Sequence, residues 1–327
     1  MMPRVLRIGC KVNLYLDITG VREDGYHELE TLFYPVAAPF DVMEIIQGGA
    51  DGHALPDAPA GTASGDLRGA LPDASGDAFD GRPAARVGQG MSLWCSDQAL
   101  ETPANIVAKA YEAYARATGY RPELTVRLAK GIPSGAGLGG GSADAAALLG
   151  WLNARAGDKA LSSAGLCALA AKLGADVPFF LLGRPAWATG IGEILTPARC
   201  DLSGLTMLVC MPREQVNTAW AYRAWDEAAG FGGSCAASPV LTRLCPPSMR
   251  PFCVSGTFIA NCFEAVVFKR HPAVRLLKER LLELGARAAG MSGSGSAVFG
   301  LFRNPARADA AVSALKGPET TVFSALL

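Results

Sequence analysis

Pro133-Ser134-Gly135-Ala136-Gly137-Leu138-Gly139-Gly140-Gly141-Ser142-Ala143 is the stretch on which the reading of this chain turns. Upstream, Leu124-Thr-Val-Arg-Leu128 alternates apolar and polar residues, the spacing of a half-buried strand. Downstream, Ser142 opens an Ala/Leu-rich segment that predicts a helix over 142–154. A strand, a glycine-rich loop and a helix N-terminus in this order bind anions. Residues without bulky side chains let the backbone close around a phosphate, and the free N–H groups of the first helical turn point at it. The stretch therefore implies a phosphate-bearing ligand, most simply a nucleotide.

Two better-known phosphate motifs fit less well. Gly135-Ala-Gly137-Leu-Gly-Gly140 satisfies a dinucleotide pattern by letter. That pattern requires a second strand ending in an acidic residue about 20 positions on, where this chain has the turn Ala154-Arg-Ala-Gly-Asp158. The nucleoside-triphosphatase loop ends in Gly-Lys-Ser/Thr, yet here Gly141 runs straight into Ser142. A ligand-free turn would have to absorb the backbone entropy of five glycines within 135–141 for no return.

Composition narrows the class. The chain has 327 residues, half of them hydrophobic and 18% charged, enough for one large or two ordinary domains. Thirty basic residues balance thirty acidic ones, so no general nucleic-acid or membrane-surface binding is expected. Nine irregularly spaced cysteines, without a Cys-x-x-Cys pair, and only three histidines argue for reduced thiols rather than a disulfide framework or a zinc site. The N-terminus lacks a secretory core, and there is no run of roughly 18 apolar residues, so the expectation is a soluble, cytoplasmic protein.

Along the chain, Lys11 to Ile18 alternates strictly, with Val12, Leu14, Leu16 and Ile18 on one face and Lys11, Asn13, Tyr15 and Asp17 on the other. Separate strands are expected at 32–36 and 42–46. Residues 48–90 turn to Gly, Ala, Asp and Pro, with Ala-Leu-Pro-Asp-Ala at 54–58 and again at 70–74. They read as a flexible insertion in which His53 is solvated. Helices are expected at 105–118, 163–173, 218–228, 257–269, 273–284 and 306–316. Strands are expected near 185–189, 192–196, 206–211, 297–302 and 320–324. This order gives an α+β fold with mixed and antiparallel sheets, divided into domains 1–204 and 205–327.

With its flanks, Pro133 to Ala146 resembles the phosphate loop of the GHMP kinases, the superfamily of galactokinase, homoserine kinase, mevalonate kinase and phosphomevalonate kinase. Two further stretches narrow the resemblance. Lys11-Val-Asn-Leu-Tyr-Leu with Arg22-Glu-Asp-Gly-Tyr-His-Glu-Leu29, and Leu173-Gly-Ala-Asp-Val-Pro-Phe-Phe180 with Gly190-Ile-Gly-Glu-Ile-Leu195, are similar to signatures of the 4-diphosphocytidyl-2-C-methyl-D-erythritol kinase family. Residues 290–302 match that family's C-terminal glycine loop, while 48–90 and much of 200–255 depart from its pattern.

The resemblance implies a two-domain GHMP-kinase fold and transfer of the ATP γ-phosphoryl group to the 2-hydroxyl of a cytidine-diphosphate-linked methylerythritol. This is a step of the non-mevalonate route to isoprenoid precursors. It implies Asp176 as general base, Lys11 as its partner, and Asn13, Tyr26, His27, Thr218 and Tyr222 on the substrate, with Trp220 competing for the last position. Asn105 and residues 133–143 would hold ATP, Ser292 to Ser296 would face the site, and Mg²⁺ would be bridged by ATP oxygens without a protein cage. Plainer roles compete. Asp176 and Asn105 both stand where helix N-caps stand, Lys11 could be a solvated strand-edge lysine, and His27 a solvated turn residue. Two other functions compete as well, namely a sister kinase acting on homoserine, mevalonate or a sugar, and a non-catalytic nucleotide sensor. The oligomeric state is not legible.

Overall fold

A computed structural model describes residues 3–48, 82–230 and 259–327. The repeat at 54–58 and 70–74 and His53 lie outside them. The chain begins with two long strands, β1 (Arg4–Val21) and β2 (His27–Gln47), which are sheet neighbours. Both run through two compact units that are interleaved in sequence, and neither unit begins or ends at residue 204. The first unit comprises Met1–Gly9, Phe40–Ile132 and Gly140–Gly183; the second comprises Cys10–Pro39, Pro133–Gly139 and Arg184–Leu327.

In the first unit, β3 (Ala85–Gly88) pairs antiparallel with β4 (Met91–Cys95), β4 pairs parallel with β5 (Leu124–Ala129), and β5 pairs antiparallel with residues 42–47 of β2. The helices are α1 (Ile106–Thr118), α2 (Gly140–Arg155), α3 (Ser163–Ala171) and α4 (Val177–Leu182). Alternation in β5 sends Leu124, Val126 and Leu128 into a core shared with Tyr111, Tyr114, Leu148, Leu149 and Leu152. α1 starts on an Asn105 cap and ends on Gly119 in the left-handed conformation, as its sequence signals.

In the second unit, residues 31–33 of β2 pair with β6 (Ala186–Thr189), which pairs with β7 (Ile194–Pro197). A separate antiparallel sheet has the order β10-β11-β8-β12, from β8 (Thr206–Pro212), β10 (Ala288–Met291), β11 (Val298–Phe302) and β12 (Thr320–Leu326). The short β9 (Ala260–Asn261) pairs parallel with β1. The remaining helices are α5 (Thr218–Ala229), α6 (Glu264–Arg270), α7 (Pro272–Glu283) and α8 (Pro305–Leu315). Leu208, Cys210, Leu281, Val298 and Phe302 lie at the centre of this unit's core.

Several expectations are corrected. The two strands expected at 32–36 and 42–46 are one, 21 residues long. Pro39, which has no N–H to give, falls where β2 exchanges β6 for β5 as its partner. Residues 85–88 of the expected loop are strand β3. The helix after the glycine loop begins at Gly140, two residues before Ser142. The helix expected from 257 is two elements among its described residues, β9 and then α6. The six described cysteines are not joined in disulfides, and burial pushes Cys210 up to about 12, so it is inert as a nucleophile.

Leu281→Ala removes a fully buried side chain against which Gly300 packs closely. It should lower unfolding free energy by about 2–5 kcal/mol, read from urea denaturation.

Candidate active site

The alternation in β1 does not separate a wet face from a dry one. Lys11, Asn13, Tyr15 and Asp17 are as buried as Val12, Leu14, Leu16 and Ile18. Lys11 is 4% exposed, which excludes a solvated strand-edge lysine. A buried ammonium needs acceptors. Its Nζ donates to Asn13 Oδ1 at 2.8 Å and lies 4.8 Å from the Phe33 ring centroid. Thr31 Oγ1 donates to the Tyr15 carbonyl at 2.6 Å and therefore accepts from Asn13 Nδ2 at 2.8 Å. That chain orients the Asn13 amide with its oxygen toward Lys11.

Two glycine loops of the second unit meet beside this network. Ser292 Oγ accepts from Asn13 N at 3.2 Å and donates to the Gly137 carbonyl at 2.9 Å. Lys11 N donates to the Leu138 carbonyl at 3.0 Å, and Ala297 N to that of Ala136 at 3.1 Å. Gly137 has φ +78°, and a Cβ there would sit 2.1 Å from the Ser292 carbonyl oxygen, so this glycine is needed for space as well as for conformation. Asn261 Nδ2 shapes the second loop by donating to the carbonyls of Met291 and Gly293, both at 2.8 Å. A cavity of about 300 Å³ adjoins Ser134 to Ala136 and is lined also by Arg213, Gln215 and Ser296.

At the start of β2, His27 gathers aromatic and acidic neighbours. Its Nε2 lies 2.7 Å from Asp226 Oδ1, its ring 4.6 Å from that of Tyr222, and Trp225 approaches edge-on at 6.1 Å. A carboxylate only accepts, so the proton of this hydrogen bond sits on Nε2 and the ring orientation is fixed by Asp226. His27 is thus a held side chain and not a solvated turn residue. Trp220 instead packs edge-on against His271, with ring centroids 5.1 Å apart. Thr218 Oγ1 meets Ser294 Oγ at 2.8 Å, while Tyr26 is largely exposed. Sequence reasoning does not single out Trp225 and Asp226. Their signal is spacing, since they lie three and four residues beyond Tyr222 on one helix face.

The first unit holds the rest of the expected residues. Gly140 to Ala143 form the first turn of α2, with their N–H groups at the positive end of a 16-residue helix. Gly174, just ahead of Asp176, adjoins Ser142: a Cβ on it would come within 3.9 Å of the Ser142 hydroxyl. Asp176 occupies the N-cap position of α4, but its carboxylate makes no capping bond. Asn105 does cap α1, accepting from Val107 N and donating to the Leu100 carbonyl, both at 2.8 Å. Among the described residues, no group of three or more His, Cys, Asp or Glu could hold a metal ion, and no helix is long and apolar enough to cross a membrane.

The family model of the GHMP kinase N-terminal domain matches residues 105–184, and that of the GHMP kinase C-terminal domain matches 249–318. The chain is 45% identical over 323 residues to the 4-diphosphocytidyl-2-C-methyl-D-erythritol kinase of Solidesulfovibrio magneticus, covering 99% of this chain and 96% of that protein. It is 42% identical to the protein of that name from Nitratidesulfovibrio vulgaris, with 98% of each covered. A crystal structure of 4-(cytidine 5'-diphospho)-2C-methyl-D-erythritol kinase superposes with a TM-score of 0.68 at 31% identity, over 99% of this chain and 98% of that one. A homoserine kinase from Cytophaga hutchinsonii, at 14% identity and TM-score 0.59, shares the fold.

Gly135 and Gly137 both have positive φ, but a Cβ on Gly135 meets nothing within 4 Å among the described residues. Gly135→Ala should therefore cost only the conformational term, about 1–2 kcal/mol. Gly137→Ala should cost clearly more, because the backbone of Ser292 must move. Thermal melting of the two variants side by side measures the difference.

Proposed function

This chain belongs to the 4-diphosphocytidyl-2-C-methyl-D-erythritol kinase family of the GHMP kinases, and from that premise we propose how its residues divide the work. It is an ATP-dependent kinase of the non-mevalonate isoprenoid route, acting on the cytidine-diphosphate-linked methylerythritol. Asp176 takes the proton of the 2-hydroxyl as that oxygen attacks the γ-phosphorus, and the bond to the β–γ bridging oxygen breaks to release ADP. Lys11 stabilises ionised Asp176 and the developing alkoxide. Asn13 holds the methylerythritol hydroxyls. The observation that carries this reading is the ammonium of Lys11, buried in a protein core and aimed by Asn13.

Residues 133–143 enclose the phosphates, with Ser142 on the β-phosphate side. Phosphoryl transfer asks for positioning and charge neutralisation more than for covalent help. Mg²⁺ brought in with ATP would supply charge neutralisation there, with Ser142 as the side chain of this loop placed to help hold it. Asn105 has both amide atoms engaged in its cap, so an adenine contact from it means exchanging one of those bonds. The cytosine stacks between Tyr26 and Tyr222, and His27 meets its edge. A homoserine or mevalonate site has no use for such an aromatic pocket. A cytoplasmic location suits these soluble substrates.

Supplying ATP with the cytidylylated substrate, mevalonate or homoserine in parallel tests the assignment. Turnover of only the latter two would overturn it. Asp176→Asn should lower kcat about 10²–10⁴-fold with little change in KM for ATP. Asp226→Ala frees the His27 ring and should raise KM for the cytidylylated substrate roughly tenfold, as expected for a lost charge-assisted hydrogen bond, with KM for ATP unchanged.

A further inference from the structure

The first unit gathers three ionisable side chains that the scheme above leaves without a task. Lys130 follows the end of β5, Asp41 lies on β2, and Asp144 lies in the opening turns of α2. Lys130 Nζ bridges the two carboxyl groups, bonding Asp41 Oδ2 and, at 2.7 Å, Asp144 Oδ2. Asp41 and Asp144 are almost completely buried.

What these residues hold makes the cluster more than an ordinary ion pair. Asp41 Oδ1 accepts from Gly131 N at 2.7 Å and from Ile132 N at 2.8 Å, the two residues immediately before the glycine loop. At the other end of the loop, a Cβ on Gly140 would lie 3.4 Å from Asp41 Oδ2 and 2.8 Å from Ile132 Cγ2. Asp144 stands just beyond Gly141 and Ser142 in α2, so Lys130 ties the strand that enters the loop to the helix that leaves it.

We propose that Asp41, Lys130 and Asp144 form a brace that holds the two feet of the glycine loop at the separation ATP requires, which makes Lys130 and Asp144 positioning residues for phosphoryl transfer. The proposal rests on the reading of residues 133–143 as the ATP loop. Two observations favour this task over simple stabilisation. Buried ion clusters are weak stabilisers, because desolvation offsets much of their attraction. In addition, Asp144 Oδ1 is buried without a hydrogen-bond partner among the described residues, a cost that stability alone does not explain. Burial and the neighbouring charge of Asp41 push the Asp144 carboxyl well above the usual carboxylate range. Asparagine, neutral and of the same shape, is therefore its conservative replacement.

The test compares Asp144→Ala and Asp144→Asn in the full-length protein, varying ATP and the cytidylylated substrate separately, with thermal melting and binding of a fluorescent ATP analogue alongside. Asp144→Ala should raise KM for ATP and weaken the analogue roughly tenfold or more, the scale of a misplaced binding group, and leave KM for the cytidylylated substrate unchanged. Asp144→Asn should restore most of the loss. A lower Tm with unchanged ATP affinity, a parallel rise in both KM values, or an Asn variant no better than Ala would each overturn the brace. Should Asp144→Ala not fold, Lys130→Arg carries the test: it keeps the charge but changes the span, and wild-type ATP affinity in that variant overturns the proposal. A wild-type protein that binds no ATP analogue would instead defeat the reading of the loop.

Discussion

The hydroxyl of Ser292 is the point on which the second unit's functional half depends. It receives the backbone N–H of Asn13 and donates to the carbonyl of Gly137, a residue 155 positions away. Only a glycine at 137 lets the two backbones come this close. With that contact in place, Leu138 meets Lys11 N, Ala136 meets Ala297 N, and the start of the glycine loop is registered against β1. Without it, a segment rich in glycine would keep most of its unfolded freedom, since glycine loses more backbone entropy on ordering than any other residue.

The same strand shows how a polar face can be a core face. A lysine, an asparagine and an aspartate buried among aliphatic side chains would be costly if unsatisfied. Here Asn13 acts as a two-ended connector, accepting from Lys11 and donating to Thr31, whose own proton goes to the backbone of Tyr15. Such a network is rigid because each member has few alternative partners. Rigidity of this kind would suit the role proposed for Lys11, where a reacting oxygen must be met within a fraction of an ångström.

How far the sequence could be read follows from the range of each interaction. Elements governed by neighbours three or four residues apart were legible: α1 with its Asn105 cap and Gly119 stop, α5, α7, and the loop between β5 and α2. Alternation identified β1 but not its burial on both faces, which depends on what packs there. Two strands were expected where β2 runs unbroken, because its change of partners near Pro39 involves residues far away in sequence. Asp226 stood on the face marked by Tyr222, but nothing local announced its bond to a histidine 199 positions away. Asp41 is about as opaque: its partners Gly131 and Ile132 are 90 and 91 residues distant.

These long-range contacts answer a problem that the loop's composition creates. Phosphoryl transfer gains chiefly from donors already in place when charge develops, because donors that must reorganise lose much of their advantage. Glycine allows backbone N–H groups to approach a phosphate, but by itself it leaves them unordered. Each unit supplies order to its own part of the segment: Ser292 and Lys11 N to residues 137–138, Asp41 and Lys130 to residues 131–132 and to the first turns of α2. Hydrogen-bonding groups from distant segments thus supply the order that glycine gives up, and the polar residues that do so are buried beside a loop that has almost no side chains of its own.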